Sequence, residues 1–139
     1  MVNTDFQKLP PSVLVVDDEP DFGAYVGLVA QYLGYSVELL SNPKDFQSNY
    51  QKHRPDVIVL DVVMPELTGL QLVEWLVDQK NEARVVLVTG YNPHFAEAAK
   101  VFAHAKGRFP VEVLTKPMGI QELSAAISGD RALEKASLA

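Results

Sequence analysis

SVLVVDDEP, residues 12–20, joins an unbroken apolar run to an acidic triplet and a proline. Ser12 to Val16 shows no polar alternation, so it reads as a strand covered on both faces, as in a parallel sheet. Pro20 suits the first turn of a helix, with Asp18 or Glu19 as its cap. The same grammar recurs three times. Asp61 follows Val57-Ile58-Val59-Leu60, Thr89 follows Val85-Val86-Leu87-Val88, and Lys116-Pro117 follows Val111 to Thr115. In an open parallel sheet the carboxyl ends of the strands converge on one crevice. Asp17, Asp18, Asp61, Thr89 and Lys116 are therefore expected in one small pocket of three carboxylates, a hydroxyl and an ammonium, a set suited to a metal ion and a phosphoryl group.

Between these signals the hydrophobic period changes to that of helices. Phe22, Val26, Val29 and Leu33 form one stripe that stops at Gly34, and Tyr35 to Leu40 reads as a second strand. Ser41-Asn42-Pro43 starts a second helix through Asp45, Phe46 and Tyr50, and Arg54-Pro55-Asp56 leads into the third strand. Leu70, Val73, Leu76 and Val77 make a third helical stripe with Trp75 at its margin. Arg84 to Val88 is the fourth strand, and Asn92-Pro93 opens a fourth helix with Phe95, Ala98, Ala99 and Phe102 on one side. Val111 to Leu114 and Gly119 to Ile127 complete five βα units. The alternation predicts an α/β fold, a three-layer α/β/α sandwich with right-handed crossovers.

A chain of 139 residues fits one domain. Its expected limits are an N-terminal extension over 1–11, the domain over 12–128, and a tail over 129–139 that extends or packs on the last helix. Cysteine is absent, which excludes a disulfide scaffold, a thiolate metal site and a cysteine nucleophile. No apolar run approaches the roughly 20 residues of a membrane span, and residues 1–11 carry no apolar leader, so a cytoplasmic, membrane-free location is expected. Twelve Lys+Arg against eighteen Asp+Glu give a net charge of −6 with the basic residues scattered. That is no footprint for nucleic acid. His53, His94 and His104 read as surface residues.

Each signal alone has an ordinary reading: Asp17-Asp18-Glu19 as a helix cap, Asp61 as a loop residue, Thr89-Gly90 as a turn. Together and in order, Asp17-Asp18, Asp61, Met64-Pro65, Gly69, Thr89-Gly90 and Lys116-Pro117 resemble the receiver domain of bacterial response regulators, over about Ser12 to Ser128. The resemblance implies a five-stranded parallel sheet of flavodoxin-like order 2-1-3-4-5 with five helices. It implies phosphotransfer to Asp61 from a sensor histidine kinase or histidine phosphotransfer protein, with output to a downstream protein effector. It also implies a cis Lys116–Pro117 bond, a water-mediated role for Asp17, and the Val63 carbonyl as a backbone metal ligand.

The residues support that chemistry on their own terms. Two unit charges about 4 Å apart repel by about 4 kcal/mol at an effective dielectric near 20, so the carboxylates need a cation. An all-oxygen donor set favours Mg²⁺, or Mn²⁺, over zinc. Asp18 and Asp61 are the expected direct ligands. Asp61 is the expected nucleophile, Lys116 the compact positive charge, and Thr89 the hydroxyl donor to a phosphoryl oxygen. The protein is expected to be a switch rather than an enzyme acting on an external substrate.

Two features depart from the family pattern. Val113 stands where an aromatic ring is usual, and Lys106-Gly107-Arg108-Phe109-Pro110 replaces a compact turn, so either Phe109 or Tyr91 takes over part of the coupling or the surface from the fourth helix to the fifth strand changes little on phosphorylation. Val63 and Tyr91, each two residues past a site residue, are expected to affect how water reaches the acyl phosphate. A haloacid-dehalogenase-like phosphatase would require a second aspartate where Val63 stands, and a flavodoxin-like binding module would require a Ser/Thr/Gly-rich loop in place of Asp17-Asp18-Glu19. A receiver excised from a hybrid kinase or multidomain regulator, and a degenerate receiver that only binds partners, remain as alternatives.

Overall fold

The computed structural model describes residues 10–61, 69–90, 93–107 and 109–129. The strands are β1 (Ser12–Val16), β2 (Ser36–Leu40), β3 (Val57–Asp61), β4 (Arg84–Thr89) and β5 (Val111–Thr115). The helices are α1 (Pro20–Tyr32), α2 (Phe46–His53), α3 (Gly69–Asp78), α4 (Pro93–Phe102) and α5 (Ile120–Ser128). All strand pairs are parallel, in the order β2-β1-β3-β4-β5. The expected architecture and topology are those observed.

Strand pleating divides the core between two faces. Leu14, Val16, Ile58, Leu60, Val85 and Leu87 point to one side, where Phe46, Tyr50, Leu72, Val73, Leu76, Ala96, Ala99 and Ala103 cover them. Val13, Val15, Val57, Val59, Val86 and Val88 point to the other, against Val26, Val29 and Ala30 of α1 and Leu123, Ala126 and Ile127 of α5. This double coverage explains why three strands read as unbroken apolar runs. The edge strand β2 is half-exposed instead, with Leu39 50% accessible.

Local chemistry sets the ends of the elements. Tyr35 N donates to Ala30 O and Gly34 N to Gln31 O, with Gly34 at φ 96°. This is a Schellman stop, in which the left-handed residue is glycine because it has no Cβ to clash. Asn42 caps a 3₁₀ turn at Pro43–Asp45 by accepting from Lys44 N at 2.9 Å, so the second helix enters one turn later than its sequence signal. The stripes on α3 and α4 also differ from expectation. On α3, Leu72 is fully buried within the core; on α4, Ala98 is exposed because the helix turns Ala96 and Ala99 inward, before continuing as a π turn over Ala103–Gly107. The expectations for Met64-Pro65, Val63, Tyr91, the Phe95 side chain, and the segments 1–9 and 130–139 lie outside the described residues. Among the described residues no helix is long and apolar enough to cross a membrane.

Gly107 holds a position that Phe109 requires. A Cβ there would stand 2.5 Å from Phe109 Cε2 and 3.0 Å from Val77 Cγ2, and Phe109 is buried to 2% exposure. Gly107→Ala is expected to lower stability by about 1–3 kcal/mol in urea unfolding through overpacking. Gly23→Ala in α1, where a Cβ meets nothing within 4 Å, is expected to raise it by about 0.5–1 kcal/mol.

Candidate functional site

The site is built by strand register. Val16 of β1 lies opposite Leu60 of β3, so the next residues, Asp17 and Asp61, emerge side by side at the spacing of adjacent strands, roughly 4.8 Å. Both are buried, at 4% and 7% exposure. On the far side, Thr89 pairs in register with Thr115, and Lys116 N donates to Thr89 O at 2.8 Å. That bond sets the start of the β5–α5 connection, whose Lys116–Pro117 peptide is cis. Thr89 itself is buried to 1% at the end of β4.

Lys116 reaches back across the crevice to the acidic side. Its Nζ is 3.0 Å from Asp17 Oδ2 and 3.6 Å from Asp61 Oδ2, and it donates a short hydrogen bond to Glu19 Oε1. The ring of Phe22, one turn into α1, lies 4.3 Å from the same nitrogen, a cation–π contact. Tyr25 completes this support: its hydroxyl donates to Met118 O at 3.2 Å, and its ring is 6.1 Å from Phe22. Burial acts to lower the pKa of Lys116. It is outweighed by Glu19 and then Asp17, with the attraction of Asp61, so the net shift is upward from 10.5.

Oxygens of Asp17, Glu19 and Asp61 lie within 4.8 Å of one another. Asp17 Oδ1 accepts from Glu19 N at 2.8 Å, which folds the β1–α1 loop over the crevice. Asp17 Oδ2 is buried with no hydrogen-bond partner, its nearby ammonium being placed as an ion pair. Three carboxylates around one ammonium leave surplus negative charge, and Asp17 Oδ2 is buried with the ammonium as its near partner. The donor set fits a hard divalent cation.

The structure thus brings Asp17, Asp61 and Lys116 together, with Thr89 at the adjoining strand end. Asp18 is exposed and stands outside the Asp17–Glu19–Asp61 group. Val63 lies outside the described residues. Two contributors were not legible as such. Glu19 reads as a helix cap, and it does occupy the cap position of α1, but its side chain makes no cap hydrogen bond and turns to Lys116 instead. Phe22 reads as one member of a core stripe, since helical period does not tell a core ring from one beneath a lysine. His53, His94 and His104 are exposed, as expected.

The chain belongs to the response regulator receiver domain family, whose model matches residues 13–128. Members of this family are signalling modules of two-component systems. The chain is 30% identical over 114 residues to the probable transcriptional regulatory protein TcrX of Mycobacterium tuberculosis, a match covering 82% of this chain and 47% of that protein. It is 33% identical over 85 residues to protein Rrf1 of Nitratidesulfovibrio vulgaris, covering 60% of this chain and 62% of the other. With TcrX at 47% and the regulator TrcR at 45%, the chain spans about half the length of these curated relatives. A receiver domain from Clostridium thermocellum superposes with a TM-score of 0.73 at 23% identity, covering 91% of this chain and 98% of that one. A response regulator from Burkholderia pseudomallei, solved with a phosphorylated aspartic acid, calcium ion and citrate, gives 0.71 at 25% identity, covering 93% of this chain and 73% of that one.

The ion cluster generates a pH prediction. Lys116 is held above its ordinary value, so its contribution to stability is complete below about pH 10 and is lost as pH rises through its folded value. Lys116→Met, which leaves Asp17 and Asp61 without their ammonium, is expected to cost about 1–3 kcal/mol at neutral pH. In urea unfolding without metal, the gap from wild type should close as pH is raised above 10.5; a gap that stays constant to strongly alkaline pH would contradict it.

Proposed function

We propose that the chain is a phosphorylation-dependent switch that accepts a phosphoryl group on Asp61 from a sensor histidine kinase or histidine phosphotransfer protein. The observation that carries this reading is the Asp61 carboxylate, buried at a strand end beside Asp17 and 3.6 Å from the Lys116 ammonium. The phosphorylated aspartic acid and calcium ion in the B. pseudomallei relative support it.

In the reaction, an Asp61 oxygen forms a bond to phosphorus as the P–N bond to the donor imidazole breaks, and the electron pair passes to the ring nitrogen. Asp17, Asp18 and Asp61, with the Val63 carbonyl, would hold Mg²⁺ or Mn²⁺, which supplies a Lewis acid for the phosphoryl oxygens. Lys116 offsets charge on the transferred group, and the Thr89 hydroxyl donates to one of its oxygens. Burial of Asp61 and Thr89 keeps bulk water from the acyl phosphate.

The modified Asp61 carries a phosphoryl group of close to two negative charges in place of its single carboxylate charge, beside Lys116 and Thr89. Contacts that differ between two arrangements of the β4–α4 and β5–α5 connections then shift their populations. Output goes to a protein effector through α4, β5 and α5. Position 113 is a half-buried valine and Phe109 is packed over Gly107, so the signal is carried without a ring at 113.

Incubation with acetyl phosphate and Mg²⁺ is expected to add the mass of one phosphoryl group, read by intact mass spectrometry. The adduct should be absent from Asp61→Asn and should fail to accumulate when the metal is chelated. An adduct on Asp61→Asn would place the acceptor elsewhere.

A further inference from the structure

We propose that Glu19 is a positioning residue, a latch that holds the Lys116 ammonium at the mouth of the crevice and that a phosphoryl group on Asp61 must out-compete. This rests on the reading of Asp61 as the phosphoacceptor and extends it to a residue that reading leaves unused.

Three observations carry the inference. Of the three carboxylates around Lys116, Glu19 is in the shortest contact and accepts the aligned hydrogen bond, whereas Asp17 at 3.0 Å is a second, less well aligned partner and Asp61 at 3.6 Å is beyond hydrogen-bond reach. The backbone of Glu19 is itself anchored, its N–H donating to Asp17 Oδ1 at 2.8 Å, so the latch is mounted on the acidic loop. The Phe22 ring, 4.3 Å from Nζ, supports the ammonium in that same pose. The lysine is thus engaged at the rim while the nucleophile lies deeper.

A phosphoryl group on Asp61 needs a close charge-assisted contact, which requires Nζ to move inward from its position 3.6 Å from Oδ2. Glu19 opposes that movement. Its side chain is 64% exposed, so the opposing pair is weak and is screened by salt. The latch is therefore a modest bias toward the unmodified state, one that ionic strength can release.

The test is titration of the full chain with beryllofluoride, a phosphoryl mimic, at saturating Mg²⁺, followed through the backbone amide signals of Thr89 and Lys116. Glu19→Gln is expected to bind the mimic about 2–5-fold more tightly than wild type at low salt, with the gain disappearing near 1 M salt. Asp21→Asn removes the same charge from an exposed position nearby and is expected to give no comparable gain. Unchanged or weaker binding by Glu19→Gln, a gain that persists at high salt, or an equal gain in Asp21→Asn would each overturn the latch. So would a tenfold or greater rise in the Mg²⁺ dissociation constant of Glu19→Gln measured without the mimic, which would make Glu19 a metal ligand. A wild-type chain that does not bind the mimic at all overturns the latch and the phosphoacceptor reading together.

Discussion

The site depends on two carboxylates held side by side with too little positive charge. The parallel register of β1 and β3 leaves no choice about this. Once Val16 lies opposite Leu60, Asp17 and Asp61 must emerge as neighbours, and the apolar layers beneath them limit their access to water. Mutual repulsion on the order of several kcal/mol makes the pair a demand for cations. Lys116 meets part of that demand, and the surplus negative charge that remains fits a hard divalent cation.

The fold delivers the lysine at some cost in geometry. Lys116 directly follows the edge strand β5, which is separated from β1 by β3 and β4. Its backbone is tied to Thr89 O, and its long side chain covers the remaining distance. Aromatic support comes from α1 on the other side, where Phe22 and Tyr25 contact Lys116 and the Met118 carbonyl. The crevice is thus closed by two connections, β1–α1 and β5–α5, that meet through a lysine, two carboxylates and two rings. Polar contacts of this kind, with one partner exposed, are weak enough to exchange, as the proposed switch requires. A wholly buried network would hold one state too firmly to respond.

Much of this could be read along the chain. The valine-rich runs specified strands covered on both faces, Gly34 marked a helix end, and the recurrence of Asp, Thr and Lys after strands placed them at one end of a parallel sheet. Those are local statements, resting on side-chain period and backbone preference, and a linear sequence carries them directly. The order of the strands came from resemblance rather than from the runs themselves, which are too alike to name their neighbours.

Tertiary structure decided what local pattern leaves degenerate. Ala96 and Ala99 face inward while Ala98 faces solvent, because the rotation of α4 depends on its packing against the sheet and α3, and alanines at helical spacing do not encode it. Glu19 has the sequence of a cap and the contacts of a lysine partner, since the ammonium that claims it arrives from 97 positions further along. Phe22 likewise becomes part of the site only through that lysine. Sequence determined which groups carry charge and at which strand ends they stand; the three-dimensional packing determined which of them share an ammonium, because ion pairing depends on distances of a few ångströms that only the assembled sheet sets.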